Sequence, residues 1–133
     1  MDYIKINGVS YDVLIVDVSE SFNILYSDNT GRVAGAGARI ILDPLGTFYT
    51  HKVTFARKKG FEDEYDNLFN ELSKPVSDGI SVDMVHGQST IKYDAYVSQG
   101  ERGLKKIDIN TGKVYWDKFT ASFIPMEAQV VDE

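Results

Sequence analysis

GTFYTHKVTFARKKGFEDEYDNLFNEL, residues 46–72, contains the change of hydrophobic period that decides the fold. In its first half, large side chains occupy every second position: Tyr49, His51, Val53 and Phe55. A period of two is typical of a half-buried β-strand, because successive side chains of a strand point to opposite faces. Gly60 then interrupts the alternation. The pattern predicts a strand over residues 46–57 and a different element after it.

The second half of this segment has the period of an α-helix. Five apolar residues recur at i, i+4, i+7, i+8 and i+11: Phe61, Tyr65, Leu68, Phe69 and Leu72. This spacing places them on one stripe of a helix. Acidic residues at 62–64 lie in the first turn, where the helix dipole favours negative charge, and Pro75 disfavours helical geometry just before it. We therefore predict one amphipathic helix at about 61–73, covering a face or an open end of a sheet.

Outward from this segment, short runs rich in β-branched and aromatic residues predict further strands. They cover residues 3–7, 11–18, 22–26, 39–42, 80–84, 91–97, 104–109 and 113–124. Asn7-Gly8 predicts a tight turn between the first two, and a bulge near Asp117 would reconcile the two phases of the last strand. The fold class predicted is mainly β (α+β): an antiparallel β-sandwich or barrel of about 7–9 strands with one helix, forming a single domain over 1–133.

The composition limits the function classes. The chain has 14 Lys and Arg against 20 Asp and Glu, a net charge of −6, and such an acidic surface disfavours nucleic-acid binding. Cysteine is absent, which excludes disulfides, a thiolate nucleophile and cysteine-bound zinc. The first residues lack the pattern of a signal peptide, and no run approaches the length of a membrane span, so we expect a soluble protein made in the cytoplasm.

A run of small residues predicts a flexible loop at about 28–39. Glycine and alanine cannot fill a core, and glycine has a high entropic cost of ordering. We interpret this loop as an arm that awaits a partner. Its candidate assembly residues are Asp28, Asn29, Gly31, Arg32, Gly35, Gly37 and Arg39.

The sequence nominates no catalytic, cofactor or metal residue. His51 and His86 could carry proton transfer or bind a metal, but no third ligand at suitable spacing is evident, so a cross-strand contact and a solvated turn are predicted for them. The glycines of 31–37 precede a strand-like run where a phosphate loop needs a helix. The segment 28–31 lacks the later acidic residue of a calcium loop. We therefore predict a protein that is not an enzyme.

Aromatic residues leave two interpretations open. Four of them fall on adjacent predicted strands: Tyr93, Tyr96, Tyr115 and Trp116. If they are exposed, they suit protein contacts or sugar stacking. If they are buried, they belong to the core of a small sandwich. A carbohydrate-binding module that uses these rings is therefore the alternative function.

The order of segments resembles small structural proteins of the tail modules of phages and prophages of Gram-positive bacteria. The resemblance runs from Tyr3 to Gln129, through an INGxxYDV hairpin, LDPLGTFYTHKVTF, EYDNLFNELSKP, TIKYDAYVSQ and YWDKFTASFIPMEAQ. It implies a tube, distal-tail or baseplate component of a virion, with a β-sandwich or barrel that assembles into rings. It also implies that the loop 28–39 pairs with a neighbouring subunit, and that the partners are other copies and other tail proteins. The resemblance supplies no catalytic residue or cofactor.

Overall fold

The computed structural model describes residues 4–28, 30–32, 37 and 39–131. Its elements in chain order are β1 (Lys5–Ile6), β2 (Leu14–Tyr26), β3 (Gly31–Arg32), β4 (Ile40–Ile41), β5 (Pro44–Ala56), α1 (Glu62–Leu72), β6 (Ile80–His86), β7 (Ser89–Tyr96), β8 (Gly100–Ile107), β9 (Val114–Pro125) and β10 (Val130–Val131). The prediction of a mainly β fold with one helix is confirmed.

The main sheet has eight antiparallel strands. Its order is β1-β6-β7-β9-β5-β10, with β2 also paired to β5 and β8 also paired to β9. Strand β9 joins the two halves, since its last residues pair with β7 while Phe119 to Phe123 pair with β5. Of the two predicted alternatives, the sandwich-like arrangement fits: within the described ranges, the sheet does not close into a barrel.

The core lies between the two halves of this sheet and beneath α1. The predicted inner face of β5 is confirmed, because His51, Val53 and Phe55 are buried and Tyr49 is half-buried. The other buried apolar residues are Ile4, Ile6, Tyr65, Leu68, Leu72, Ile80, Val82, Met84, Tyr93, Ala95, Phe119, Ala121 and Phe123. Burial of these side chains is the main term that stabilises the fold.

The helix covers one side of the core, as predicted, with one correction. Tyr65, Leu68 and Leu72 are buried, and Phe69 packs against the core. Phe61 does not belong to the stripe, because the helix begins at Glu62 and Phe61 is the exposed residue before it. The Phe61 ring instead lies 5.0 Å from the ammonium group of Lys58.

The predicted N-terminal hairpin is wrong, although its turn is confirmed. Asn7 and Gly8 both have positive φ, and the backbones of Ile6 and Val9 exchange two hydrogen bonds around them. The strand before this turn pairs with β6 rather than with β2. This pairing buries Ile6 in the core, which a local hairpin with an exposed strand would not. The separate strands predicted at 11–18 and 22–26 are one continuous strand, β2, paired along β5.

The predicted bulge of the last strand is confirmed. Arg102 pairs with Phe119 and Leu104 pairs with Trp116, so Asp117 and Lys118 oppose the single residue Gly103. One extra residue reverses the face of the side chains that follow it. This reversal turns Phe119, Ala121 and Phe123 inward.

Gly79, just before β6, provides a test of backbone packing. Its φ is +74°, and a Cβ there would contact the sulfur of Met126 and lie 2.6 Å from the carbonyl oxygen of Ala95. We expect Gly79→Ala to lower the free energy of unfolding by about 2–3 kcal/mol, measured by urea denaturation. The alanine would be strained in the left-handed backbone conformation, and its Cβ would also clash with its neighbours. Gly60→Ala is the control, since Gly60 has a φ of +86° but nothing within 4 Å of a Cβ. An equal loss of free energy of unfolding in both variants would contradict a steric clash at position 79.

Candidate functional site

Strand β2 forms one free edge of the main sheet. It is 13 residues long, and every residue except the half-buried Val18 is exposed. In the part of the chain that the structure describes, it pairs with β5 and with no other strand. An edge of this length presents a row of unpaired backbone N–H and C=O groups to other chains.

Strand β8 forms a second free edge, beyond β9. It pairs only with β9 among the described strands, and Leu104 and Ile107 are 49% and 56% exposed. The two edges differ in charge. Strand β2 contains Asp17 and Glu20 and no basic residue. Strand β8 contains the exposed Lys105 and Lys106 against the single acidic residue Glu101, while its Arg102 is ion-paired with Asp66 of α1. These two long edge strands therefore have net charges of opposite sign.

A shallow apolar groove lies at the end of the sheet beside β2. In register across β2, β5 and β10, Ile24, Thr47 and Val130 form one row on the same face. The groove, which we call the end groove, is lined by Ile24, Tyr26, Leu42, Pro44, Gly46, Thr47, Val130 and Val131. Several of these apolar side chains are about half exposed. Exposed apolar surface of this kind is a candidate contact surface.

A polar cluster of Glu20, His51 and His86 lies where the core ends and the exposed part of β2 and β5 begins. Glu20 and His51 are cross-strand partners in register, and His86 is the last residue of β6. The Glu20 Oε2 atom lies 2.7 Å from His51 Nε2 and 2.7 Å from His86 Nδ1. The Tyr49 ring meets the His86 ring edge-on, with centroids 4.8 Å apart. The Glu20 carboxylate thus joins the two imidazoles, and the three residues lie on three different strands.

Tyr93 extends this cluster into the core. Its hydroxyl lies 2.7 Å from His51 Nδ1. Burial lowers the pKa of His51, against the opposing effect of Glu20. Burial would raise the pKa of Glu20, but hydrogen bonds from His86 and His51 lower it overall. The geometry fits a His51 ring that carries its proton on Nε2, donates from there to the Glu20 carboxylate and accepts a hydrogen bond from the Tyr93 hydroxyl at Nδ1.

These three side chains are also the group that could hold a metal ion. Their nearest ligand atoms all lie within 4.8 Å of one another. The sequence prediction missed the third ligand because Glu20 was placed in a gap between two strands, 31 residues from His51 and 66 from His86. Predicting a continuous β2 opposite β5 would have found Glu20, since it occupies the position across from His51. The predicted solvated turn at His86 is corrected in the same way: the ring is half-buried against Tyr49 and Glu20.

The structure does not bring the four candidate aromatic residues into one exposed patch. Tyr93 is buried, so its inclusion in the patch is wrong; its position on the inner face of β7 turns the ring into the core. Tyr96 is exposed on the opposite face of the same strand. Tyr115 lies beneath the cations of Arg57 and Lys106, and Trp116 beneath that of Arg102. The four predicted aromatic residues therefore do not form the flat, exposed row of rings that sugar stacking needs.

The candidate loop residues divide into two groups. Asp28 lies in an exposed turn, Gly31 and Arg32 form β3, and Gly37 and Arg39 are exposed; Asn29 and Gly35 lie outside the described residues, as do 33, 34, 36 and 38. Strand β3 pairs with β4, through Gly31 with Ile41 and Arg32 with Ile40. The base of the segment is closed by hydrogen bonds between Ser27 and Asp43. Among the described residues of the predicted loop, only Gly31 and Arg32 therefore belong to a strand.

Among the described residues, no helix is both long and apolar enough to cross a membrane. A comparison of the sequence with protein-family models finds no matching family, and a search of curated proteins finds no match.

Proposed function

We propose that this protein is a non-enzymatic assembly protein that associates with further copies of itself through β2 and β8, the two long edge strands among the described strands of its sheet. The observation that carries the proposal is the pair of unpaired edges, β2 and β8, with opposite charge. In the proposed contact, β2 of one copy adds to β8 of the next and continues the sheet. Backbone hydrogen bonds then provide affinity, and side chains provide specificity.

The direction of association follows from the charges. Pairing β2 with β2 would oppose acidic residues, and pairing β8 with β8 would oppose basic ones. Like charges across an interface disfavour association, whereas β2 against β8 is attractive. A contact between two different surfaces of the same chain is head-to-tail, and head-to-tail contacts generate rings or open filaments.

The end groove adds an apolar component to this contact. It lies at the end of β2, with Ile24 and Tyr26 of the edge strand among its lining residues. A neighbour that paired with β2 would pass beside this groove and cover part of it. Removing such surface from water favours association, at about 25 cal/mol for each Å².

The whole-chain resemblance supports a tail of a phage or prophage as the setting. A tube, distal-tail or baseplate component is built from repeated copies of one chain, which fits a subunit with two complementary edges. Other tail proteins would then be its further partners, and the virion its final location. As the resemblance implies, segment 28–39 would make a second contact with a neighbour, beside the short pairing of its residues Gly31 and Arg32 with β4.

Charge exchange at the two edges tests the head-to-tail contact. We expect Asp17→Lys and Lys105→Glu each to weaken self-association by about tenfold at low salt, because each places like charges across the interface. An equimolar mixture of the two variants should recover assembly, because the altered β2 then meets the altered β8. Sedimentation velocity and light scattering over a concentration series measure both effects.

The control for this experiment is Asp63→Lys, which makes the same charge change at an exposed position of α1. Its assembly should equal that of the unmodified chain. A chain that stays monomeric at every concentration would reject self-association. Assembly of the two single variants at the unmodified level, or a mixture that stays dissociated, would reject the pairing of β2 with β8.

A further inference from the structure

We infer that Glu20, His51 and His86 form a binding site for one divalent transition-metal ion of the zinc class, which fastens the edge strand β2 to β5 and β6. The inference rests on the convergence of three ligand atoms from three strands, described above. It does not require the proposed self-association, because all three ligands belong to one chain, but Glu20 also contributes to the negative charge of β2.

The geometry is close to that of a zinc site. Zinc bonds of about 2.0–2.1 Å in a tetrahedron place ligand atoms about 3.3 Å apart. In the cluster, Glu20 lies 2.7 Å from each histidine nitrogen. An ion that replaces the two N–H···O hydrogen bonds needs the carboxylate to move by about half an ångström, and it needs the two imidazole nitrogens, which lie within 4.8 Å of one another, to be about 3.3 Å apart. Glu20 can make this movement, since its side chain is 33% exposed.

The second ring nitrogens are suited to the bound state. Coordination through His51 Nε2 places the ring proton on Nδ1, where it is donated to the Tyr93 hydroxyl oxygen 2.7 Å away. The hydroxyl changes from donor to acceptor by rotation. A partner of this kind on the far nitrogen orients a ligating histidine and strengthens its bond to the metal. Each imidazole stays neutral, so no proton is lost from it and no redox step is involved.

The ligand types select the ion. Two imidazole nitrogens with one carboxylate oxygen suit Zn²⁺, Co²⁺, Ni²⁺ or Cu²⁺. Ca²⁺ and Mg²⁺ prefer oxygen ligands alone. The His86 side chain is 34% exposed and that of Glu20 is 33% exposed, so a fourth ligand, water, can reach the ion from the solvent side. Among the described residues, Glu20 has ion pairs with these two histidines and with no lysine or arginine.

The composition makes the test specific. The chain has two histidines and no cysteine, so imidazole ligands can come only from this cluster and thiolate ligands are absent. The experiment uses tag-free protein that has been treated with a chelator and dialysed. Isothermal titration with ZnCl₂ should show one ion per chain, and Co²⁺ should produce a visible absorption band typical of coordination by fewer than six ligands. At saturating Zn²⁺ the melting temperature should rise by about 5–10 °C, whereas Mg²⁺ and Ca²⁺ should leave it unchanged.

Matched variants separate coordination from a purely hydrogen-bonded cluster. Glu20→Gln and His86→Gln retain hydrogen-bonding groups of similar size and should abolish the Co²⁺ band, and Tyr93→Phe should weaken Zn²⁺ binding by about 10–100-fold. Asp63→Asn, an exposed acid on α1, is the control and should bind as the unmodified chain does. Lys105→Glu should also retain the site, which separates this test from self-association. Absence of Zn²⁺ binding by the unmodified chain, or equal binding by Glu20→Gln, would overturn the inference.

Discussion

Replacing Phe119 with alanine is expected to lower the free energy of unfolding by about 3–5 kcal/mol. Phe119 is 3% exposed, and its ring centroid lies 5.2 Å from that of Phe55, 5.3 Å from that of Tyr65 and 5.3 Å from that of Phe69. The ring thus joins the sheet to the helix, and alanine would lose apolar burial and leave a cavity. Since small domains have a total stability of about 5–15 kcal/mol, this loss brings the chain close to unfolding.

The control for Phe119 is the same replacement on the surface. Phe22 is 69% exposed on β2, so Phe22→Ala should change the free energy of unfolding by less than about 0.5 kcal/mol. Urea denaturation followed by circular dichroism, at protein concentrations where the chain is monomeric, measures both variants. A loss below about 1 kcal/mol for Phe119→Ala would show that the aromatic cluster does not stabilise the fold as described.

Leu68→Ala is expected to cost about 2–5 kcal/mol, which is the next largest effect. Leu68 is 1% exposed and lines the same depression of the core as Ile6 and Phe55. It therefore tests whether α1 is packed on the sheet through its predicted stripe. Loss of this side chain removes apolar burial from the core cluster that includes Ile6 and Phe55, and the surrounding backbone can fill the space only in part.

A neighbouring position on the same helix gives the opposite expectation. Asn67 is exposed, and alanine has a higher helix propensity than asparagine, so Asn67→Ala should raise the stability by about 0.5 kcal/mol. Thermal and urea denaturation of Leu68→Ala and Asn67→Ala compare the effect of core packing with the effect of helix propensity in the same helix. If Leu68→Ala is as well tolerated as Asn67→Ala, the helix is not docked on the core.

Local pattern predicted much of this molecule. The alternation of β5 and the stripe of α1 could be read directly, because the burial of a side chain repeats with the period of its own element. The bulge near Asp117 was also predictable, since the two phases of the last strand are visible in its own sequence. The same reasoning failed at the N-terminus, where β1 follows a hairpin turn and yet pairs with β6.

The candidate sites were less predictable than the fold. Tyr93 and Tyr96 have the same residue type on one strand, but the first is buried beside His51 and the second is exposed. Which ring faces inward depends on the strands that cover β7, and these come from distant parts of the chain. The charge contrast of the two edges was present in the sequence, but only the sheet order identifies β2 and β8 as edges.

The sequence by itself determined the type of the long elements, the face of β5 and α1 that is buried, and the absence of cysteine chemistry. The tertiary structure alone decided which strands pair across long separations and therefore which polar groups meet. Glu20 reaches His51 across 31 residues and His86 across 66. Closing a longer loop costs only slightly more entropy, so distance along the chain does not select a partner. The partner is selected by the burial of apolar faces from several elements together, and the buried apolar area is a property of the whole fold.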